Sequence, residues 1–548
     1  MSETIHVAAG TEWWRNAVVY QVYPRSFADA NGDGTGDVEG IRSRIPYLTQ
    51  LGVNAIWMNP WYPSPLLDGG YDVADYRSIA PMFGSLDDAK RLIADAHDAG
   101  IRVIVDLVPN HTSWDHKWFV EAVTATPGSA ARDRYIFRDG KGENGELPPT
   151  NWSSVFGGPA WSRCEDGQWY LHLFDISQPD LNWTNPEVRA EFCDIFRFWV
   201  DLGADGFRVD VSHGLIKDPD FPDVDLASEI LTVGHIENHP HWDRDEVHEI
   251  NREWRAVLDA KEVELGRELM MVAEAWVKPE SVPLYLRPDE YHQSFNFDFL
   301  GCPWDITQMR SSINRALVDA ASVGSSATWV LSNHDVVRHA TRYGLPEGTD
   351  YQEWLMHGSA ELCDHTLGVK RARAITMMLL ALPGSTYIYQ GEELGLHEVH
   401  DLPHEVLDDP VWRRSEHTRK GRDGCRVPIP WTTTGASFGF GSDGSWLPQP
   451  SDWGAQSVEA QDGVAGSVLE LYRSALALRA ASWVDSGDLN WLELDPHAIA
   501  FERNGYVCIT NFGDSDIQLP DGDLLLASDD SASVAMIAAN TTVWIKRP

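Results

Sequence analysis

Between residues 18 and 390, eight short apolar runs alternate with stretches of helical period, and few folds satisfy that alternation. The runs are 18–23, 55–59, 102–108, 206–210, 270–274, 294–298, 328–333 and 386–390. Each has the length of a strand, and the intervals between them suit helices. Strand–helix–strand units repeated in this way predict an α/β fold, a parallel (β/α)8 TIM barrel.

The helices carry their own start and stop signals. Ser85 is placed to cap one, with Leu86, Ala89, Leu92, Ile93 and Ala96 on a single face and Gly100 beyond its end. Asn185–Pro186 opens another, whose inward stripe is Val188, Phe192, Ile195, Phe196 and Trp199, closed by Gly203. Residues 112–183 break the rhythm. They are rich in Gly, Pro, Ser and Trp, and too long for a plain βα loop, so they predict a subdomain inserted after strand 3. From residue 485 short β-rich segments (AIAFER, YVCIT, TTVWIK) predict a C-terminal antiparallel β domain. The barrel is then expected to comprise 1–111 and 184–484.

A net charge of −40 opposes nucleic acid and anionic membranes as partners, and no apolar run is long enough to span a bilayer. The N-terminus lacks the basic-then-apolar pattern of a secretory signal, and six scattered cysteines without a CxxC pair read as reduced thiols, so a cytoplasmic address is expected.

Polar residues at the C-terminal ends of barrel strands are where chemistry is sought. Strand 4 ends in GFRVD, where alternation turns Phe207 and Val209 outward and leaves Arg208 and Asp210 at the mouth. An Asp beside an Arg is expected to keep a low pKa and stay ionised, although a structural ion pair looks the same. Strand 5 ends in MMVAEAW, and apolar neighbours are expected to raise the pKa of Glu274, as a general acid needs. Strand 7 ends in SNHD, adding His334 and Asp335. Each acid alone has a bland reading; three at one rim give the layout of glycoside cleavage, two flanking the bond and a third gripping ring hydroxyls.

The segments DLVPNH (106–111), GFRVD (206–210), AEAW (273–276) and SNHD (332–335) resemble the four signature regions of glycoside hydrolase family 13, the α-amylase family. QPDLNW (178–183), YQVYPRSFADANGDGTGD and GRDGCRVPIPW (421–431) resemble its α-glucosidase and oligo-1,6-glucosidase branch. The resemblance implies an exo-acting retaining α-glucosidase acting on small α-glucosides. Asp210 would be the nucleophile, Glu274 the acid/base and Asp335 the transition-state stabiliser, with Arg208 orienting Asp210. Asp72, His111, His334, Gln178 and Arg422 would bind the terminal glucose, and Tyr71 or Phe174 would stack on it. Val211, next after the nucleophile, resembles enzymes accepting α-1,6 bonds. A glucosyltransferase or sucrose-active relative would carry the same catalytic residues, and a scaffold protein would lack one of them. A monomer or homodimer is expected, without an organic cofactor.

DANGDGTGD places oxygen side chains at Asp29, Asn31, Asp33, Thr35 and Asp37 around a Gly turn, like the start of a calcium loop, though Gly40 stands where an EF-hand has its bidentate Glu. A structural Ca2+ or Mg2+ is expected there, against the alternative of a solvated turn.

Overall fold

The computed structural model describes residues 4–7, 10–224, 239–359, 362–483, 487–529 and 535–548. Eight parallel strands form its central sheet: β1 (Val18–Val22), β2 (Ala55–Met58), β3 (Arg102–Leu107), β4 (Gly206–Val209), β5 (Met270–Ala273), β6 (Gln293–Ser294), β7 (Thr328–Val330) and β8 (Ser385–Tyr389). Ladders join β1 through β6 in chain order, and β8 pairs with both β7 and β1. Only between β6 and β7 do the described residues lack a ladder. Side chains bridge there instead: Gln293 Nε2 donates to Ser326 Oγ at 3.4 Å, and Ser325 Oγ donates to the His292 carbonyl at 2.7 Å. The strands read as continuous apolar runs because both of their faces are covered. Val19, Ala55, Trp57, Ile104, Val272, Val330 and Tyr387 fill the barrel with Trp14. Phe207 faces outward onto Phe196, their ring centroids 4.6 Å apart.

The helix Leu86–Asp98 begins in a capping box, with Ser85 and Asp88 each serving the other's backbone N–H. Asn185 caps Pro186–Leu202, and Gly203 ends it at φ 122°, where a Cβ would also meet Ile93 Cγ2 at 2.8 Å. The sixth predicted run was too long. Its strand covers only Gln293–Ser294, because the Asn296 side chain accepts from Phe299 N–H and starts the helix Phe297–Gly301.

Between β3 and β4 the chain builds a three-stranded antiparallel sheet from Phe137–Asp139, Gln168–Leu171 and Trp161–Arg163. Trp152, Trp161, Leu171 and Leu173 pack there with Val211 and Trp242, which seats the insertion over the barrel mouth beside Asp210. The C-terminal strands Leu489–Leu492, Ala498–Arg503, Tyr506–Asn511, Thr541–Lys546 and Asp523–Ala527 form an antiparallel sheet. Its central hairpin turns at Asn504 (φ 49°) and Gly505 (φ 83°), the left-handed pair a tight turn requires. Thr4–Ile5, counted with the barrel from sequence, instead pair with Asn490 and Leu489 on the edge of this sheet. The expected boundary at 484/485 lies outside the described residues. Helix His365–Ala381 joins the two bodies, as Trp544 Nε1 donates to the Met377 carbonyl and Arg503 Nη1 to that of Ala381. Among the described residues no helix is long and apolar enough to cross a membrane, and the six cysteines are free.

Candidate active site

Strands β3, β4 and β5 end side by side and bring three carboxylates onto one guanidinium. Arg208 Nη1 donates to Asp106 Oδ1 at 2.9 Å and Asp210 Oδ1 at 2.6 Å, and its Nη2 donates to Glu274 Oε2 at 2.7 Å. All four side chains are buried or nearly so. Glu274 does not lie in the apolar setting its neighbours in sequence predict. Val211 N–H also donates to its Oε2 (3.1 Å) and Trp276 Nε1 to its Oε1 (3.0 Å). Trp276 is held for this by stacking on Phe297, ring centroids 3.7 Å apart. Val211 takes φ 46°, a left-handed conformation costly for a β-branched residue, and this turns its N–H onto the acid.

The low pKa expected of Asp210 does not follow. Burial pushes it well up; Arg208 opposes this, while the Glu274 and Asp106 carboxylates add to it. Arg208 was weighed as a partner of Asp210 alone, but one guanidinium cannot neutralise three buried carboxylates. Arg208 holds Asp210 and Glu274 side by side, close enough for the Glu274 carboxyl to add to the rise of Asp210.

Across the mouth, Asp335 Oδ1 accepts from Arg422 Nη1 (3.0 Å) and Arg426 Nη2 (2.9 Å). Burial would raise this carboxyl, but His334 and the Arg422, Arg426 and Arg208 guanidiniums hold it well below the usual range. Burial lowers the pKa of His334, Asp335 opposes this, and the surrounding guanidiniums add to it. Gln21 Nε2 donates to His334 Nδ1 at 2.7 Å, which fixes the proton on Nε2, and that nitrogen lies 3.2 Å from Asp335 Oδ2. The Tyr71 ring lies parallel to His334, centroids 5.1 Å apart, with its hydroxyl donating to Asp106 Oδ2.

The glucose-binding carboxylate expected at Asp72 is misplaced. Asp72 turns away into the 63–68 loop, where Oδ1 accepts from Ser64 Oγ and Oδ2 from Leu67 N–H. Burial raises its pKa to about 7. Asp68 takes the position in the site: Oδ1 accepts from Arg422 Nη2 (2.7 Å) and Oδ2 from Gln178 Nε2 (2.9 Å). Gln178 also contacts His111 Nε2 at 3.0 Å, and Phe174 lies against His111 with ring centroids 5.1 Å apart. Arg422 and Arg426 both reach Asp335, and Arg422 alone continues to Asp68. Asp210, Glu274, Asp335, His111, Phe174, Gln178, Arg208, His334 and Arg422 thus line one connected site. Gln21, Asp68 and Asp106 were missed, although each lies in or beside a segment already singled out.

The loop after β1 stands apart from this site. Asp29 accepts from Gly32 and Gly34 N–H, Asn31 from Asp33 N–H, Asp33 from Thr35 N–H, and Asp37 from Ala30, Asn31 and Gly40 N–H. Burial raises Asp37, with Asp29 adding to it, and no basic side chain pairs with Asp29, Asp33 or Asp37 among the described residues. A loop of uncompensated oxygen ligands suits a hard cation.

Residues 21–487 match the family model described as "Alpha amylase, catalytic domain". The chain is 37% identical over 521 residues to a probable alpha-glucosidase of Rhizobium meliloti, covering 92% of this chain and 90% of that protein. It is 34% identical to the oligo-1,6-glucosidase of Parageobacillus thermoglucosidasius, covering 93% and 92%. Among solved structures, the alpha-glucosyl transfer enzyme XgtA superposes with a TM-score of 0.84 at 33% identity, covering 98% of this chain and all of that one. With its barrel, its connected carboxylate site and these relatives over nearly its full length, the chain belongs to the α-amylase family of glycoside hydrolases.

Proposed function

We propose that this protein is an exo-acting, retaining α-glucosidase releasing glucose from the non-reducing end of short maltose- or isomaltose-type oligosaccharides. The observation that carries this is the Arg208 bridge, at 2.6 Å to Asp210 and 2.7 Å to Glu274, which holds the two carboxyls side by side on one guanidinium. An inverting enzyme keeps its carboxyls about 6.5–9.5 Å apart to admit water between them and the sugar; a retaining one holds them close.

The reaction starts from Asp210 ionised and Glu274 protonated. Asp210 attacks C1 while Glu274 protonates the departing glycosidic oxygen, which forms a β-glucosyl ester and frees the aglycone. Glu274, now a carboxylate, takes a proton from water, whose oxygen attacks C1. The ester bond breaks, α-glucose leaves and the proton is back on Glu274. Asp335, ionised throughout, grips the 2- and 3-hydroxyls, and the His334 Nε2–H beside it donates to a neighbouring one. Asp68 with Arg422, and His111 with Gln178, hold the far hydroxyls; this closed end supports removal of one glucose at a time. Val211, next after the nucleophile, resembles enzymes accepting α-1,6 bonds.

Asp29, Asn31, Asp33, Thr35 and Asp37 would hold a Ca2+ or Mg2+ that supplies structural cross-linking of the loop after β1. The chain would act in the cytoplasm, as a monomer or homodimer. A second reading, glucosyl transfer to a sugar or alcohol in place of water, is supported by the similarity to XgtA, an alpha-glucosyl transfer enzyme.

One experiment tests both. Maltose, isomaltose, sucrose, trehalose and an aryl α-glucoside are supplied with and without acceptor, and products are followed by NMR. α-Glucose as the first anomer supports the reading; β-glucose as the first anomer overturns retention, and transfer products dominating at low substrate favour the second reading.

A further inference from the structure

Away from the carboxylates, Cys363, His365 and His397 each present one ligand atom, and these atoms lie within 4.8 Å of one another. Cys363 immediately precedes the helix His365–Ala381, and His397 lies in the loop that follows β8. The two imidazoles meet edge to face, ring centroids 4.1 Å apart and planes at 82°. His365, His397 and His400 line one cavity of about 620 Å3.

The polar partners of these groups are those of ligands rather than of a charge cluster. Among the described residues, no carboxylate pairs with Cys363, His365 or His397. His397 Nδ1 lies 3.2 Å from Thr341 Oγ1, which already accepts from Glu398 N–H at 2.8 Å. With Nδ1–H donating to that hydroxyl, Nε2 keeps its lone pair, the outer-sphere arrangement common for metal-bound histidine. Among the described residues the one hydrogen bond of Cys363 Sγ is a long one, 3.5 Å to the Thr341 carbonyl.

We propose that Cys363, His365 and His397 form a binding site for a borderline-soft divalent transition metal, Zn2+ by its chemistry, with a fourth position facing the cavity that His400 also lines. One thiolate with imidazoles is the donor set of tetrahedral zinc. Tetrahedral Zn–S and Zn–N bonds place ligand atoms about 3.3–3.8 Å apart, so side-chain rotations of about 1 Å close the site. As the Zn–S bond forms, the Cys363 proton passes to solvent. The metal cross-links the segment before the helix to the loop after β8. This site is distinct in ligands and place from the oxygen loop at 29–37, which suits hard cations only.

Full-length protein, treated with chelator and then freed of it, is titrated with ZnCl2 by calorimetry and with CoCl2 by absorbance. The expected result is one strongly bound Zn2+ per chain, a melting temperature raised by several degrees, and a thiolate-to-cobalt charge-transfer band. Cys363→Ser and His397→Ala should each abolish that binding and the band, with hydrolysis of an aryl α-glucoside within about twofold of wild type. His365→Asn provides an independent variant should either fail to fold. Zinc binding that persists unchanged in the folded Cys363→Ser/His397→Ala double variant overturns the proposal, as does a cobalt complex without the thiolate band or no binding by the wild type.

Discussion

Arg422 Nη2 binds Asp68 Oδ1 at 2.7 Å while its Nη1 binds Asp335 Oδ1 at 3.0 Å, so one guanidinium sets the distance between two carboxylates arising from different strand ends. Asp68 and Asp72, four residues apart, therefore have different jobs. Asp68→Ala should cut kcat/KM by about 10- to 150-fold, the worth of a charged hydrogen-bond partner, with little change in melting temperature. Asp72→Ala should cost about 1–3 kcal/mol of stability by freeing the 63–68 loop, and leave KM much closer to wild type. Steady-state kinetics beside thermal melts check this, and the reverse pattern would put Asp72 back in the pocket.

Glu274→Gln should lower turnover of maltose-type substrates by about 10²- to 10⁴-fold, since the leaving oxygen needs its proton. An aryl α-glucoside with an acidic phenol needs none for departure, so that variant should accumulate glucosyl-enzyme, visible as a mass increase on intact protein. Asp210→Ala should show neither turnover nor adduct while folding normally.

Gln21 reaches the chemistry only through His334. Gln21→Leu removes the donor to Nδ1 and lets the proton choose either nitrogen, which should reduce kcat/KM by about 3- to 10-fold. Gln21→Asn, too short to reach, should behave alike. A purely structural role would lower the melting temperature without shifting KM.

Glu392, next to β8, is buried, and burial raises its pKa to about 8, with Glu393 adding to the effect. A carboxyl raised above its unfolded value of 4.5 stabilises the fold fully below that value and loses the contribution as pH rises to about 8. Melting temperature should therefore fall between pH 5 and pH 8, and Glu392→Gln, which mimics the protonated side chain, should flatten that slope. An unchanged slope in the variant would place the titrating group elsewhere.

Excess Ca2+ should raise the melting temperature, since a ligand at about 100 times its Kd adds about 2.7 kcal/mol. Asp29→Ala or Asp37→Ala should abolish the response. Indifference of the wild type to both chelator and calcium would make the loop a plain Asp/Gly turn.

The succession of apolar runs and helical stripes determined the barrel, because strands covered on both faces and helices with one buried face leave period and polarity in the sequence. Asp210, Glu274 and Asp335 were legible for the same reason: strand alternation and position fix which side chain stands at a barrel mouth. The sequence did not determine which acid of the LLDGGYD segment enters the pocket. That depends on how residues 63–72 fold back, and Ser64 and Leu67 N–H capture Asp72 and leave Asp68 facing Arg422. Nor could it reveal that Asp210 rises, since the carboxylates of Asp106 and Glu274 arrive from other strands. The Gln21 bond to His334 and the meeting of Cys363 with His397 are likewise long-range. Local pattern records which way each residue faces along its own element; only closure of the barrel decides which charges share one buried volume.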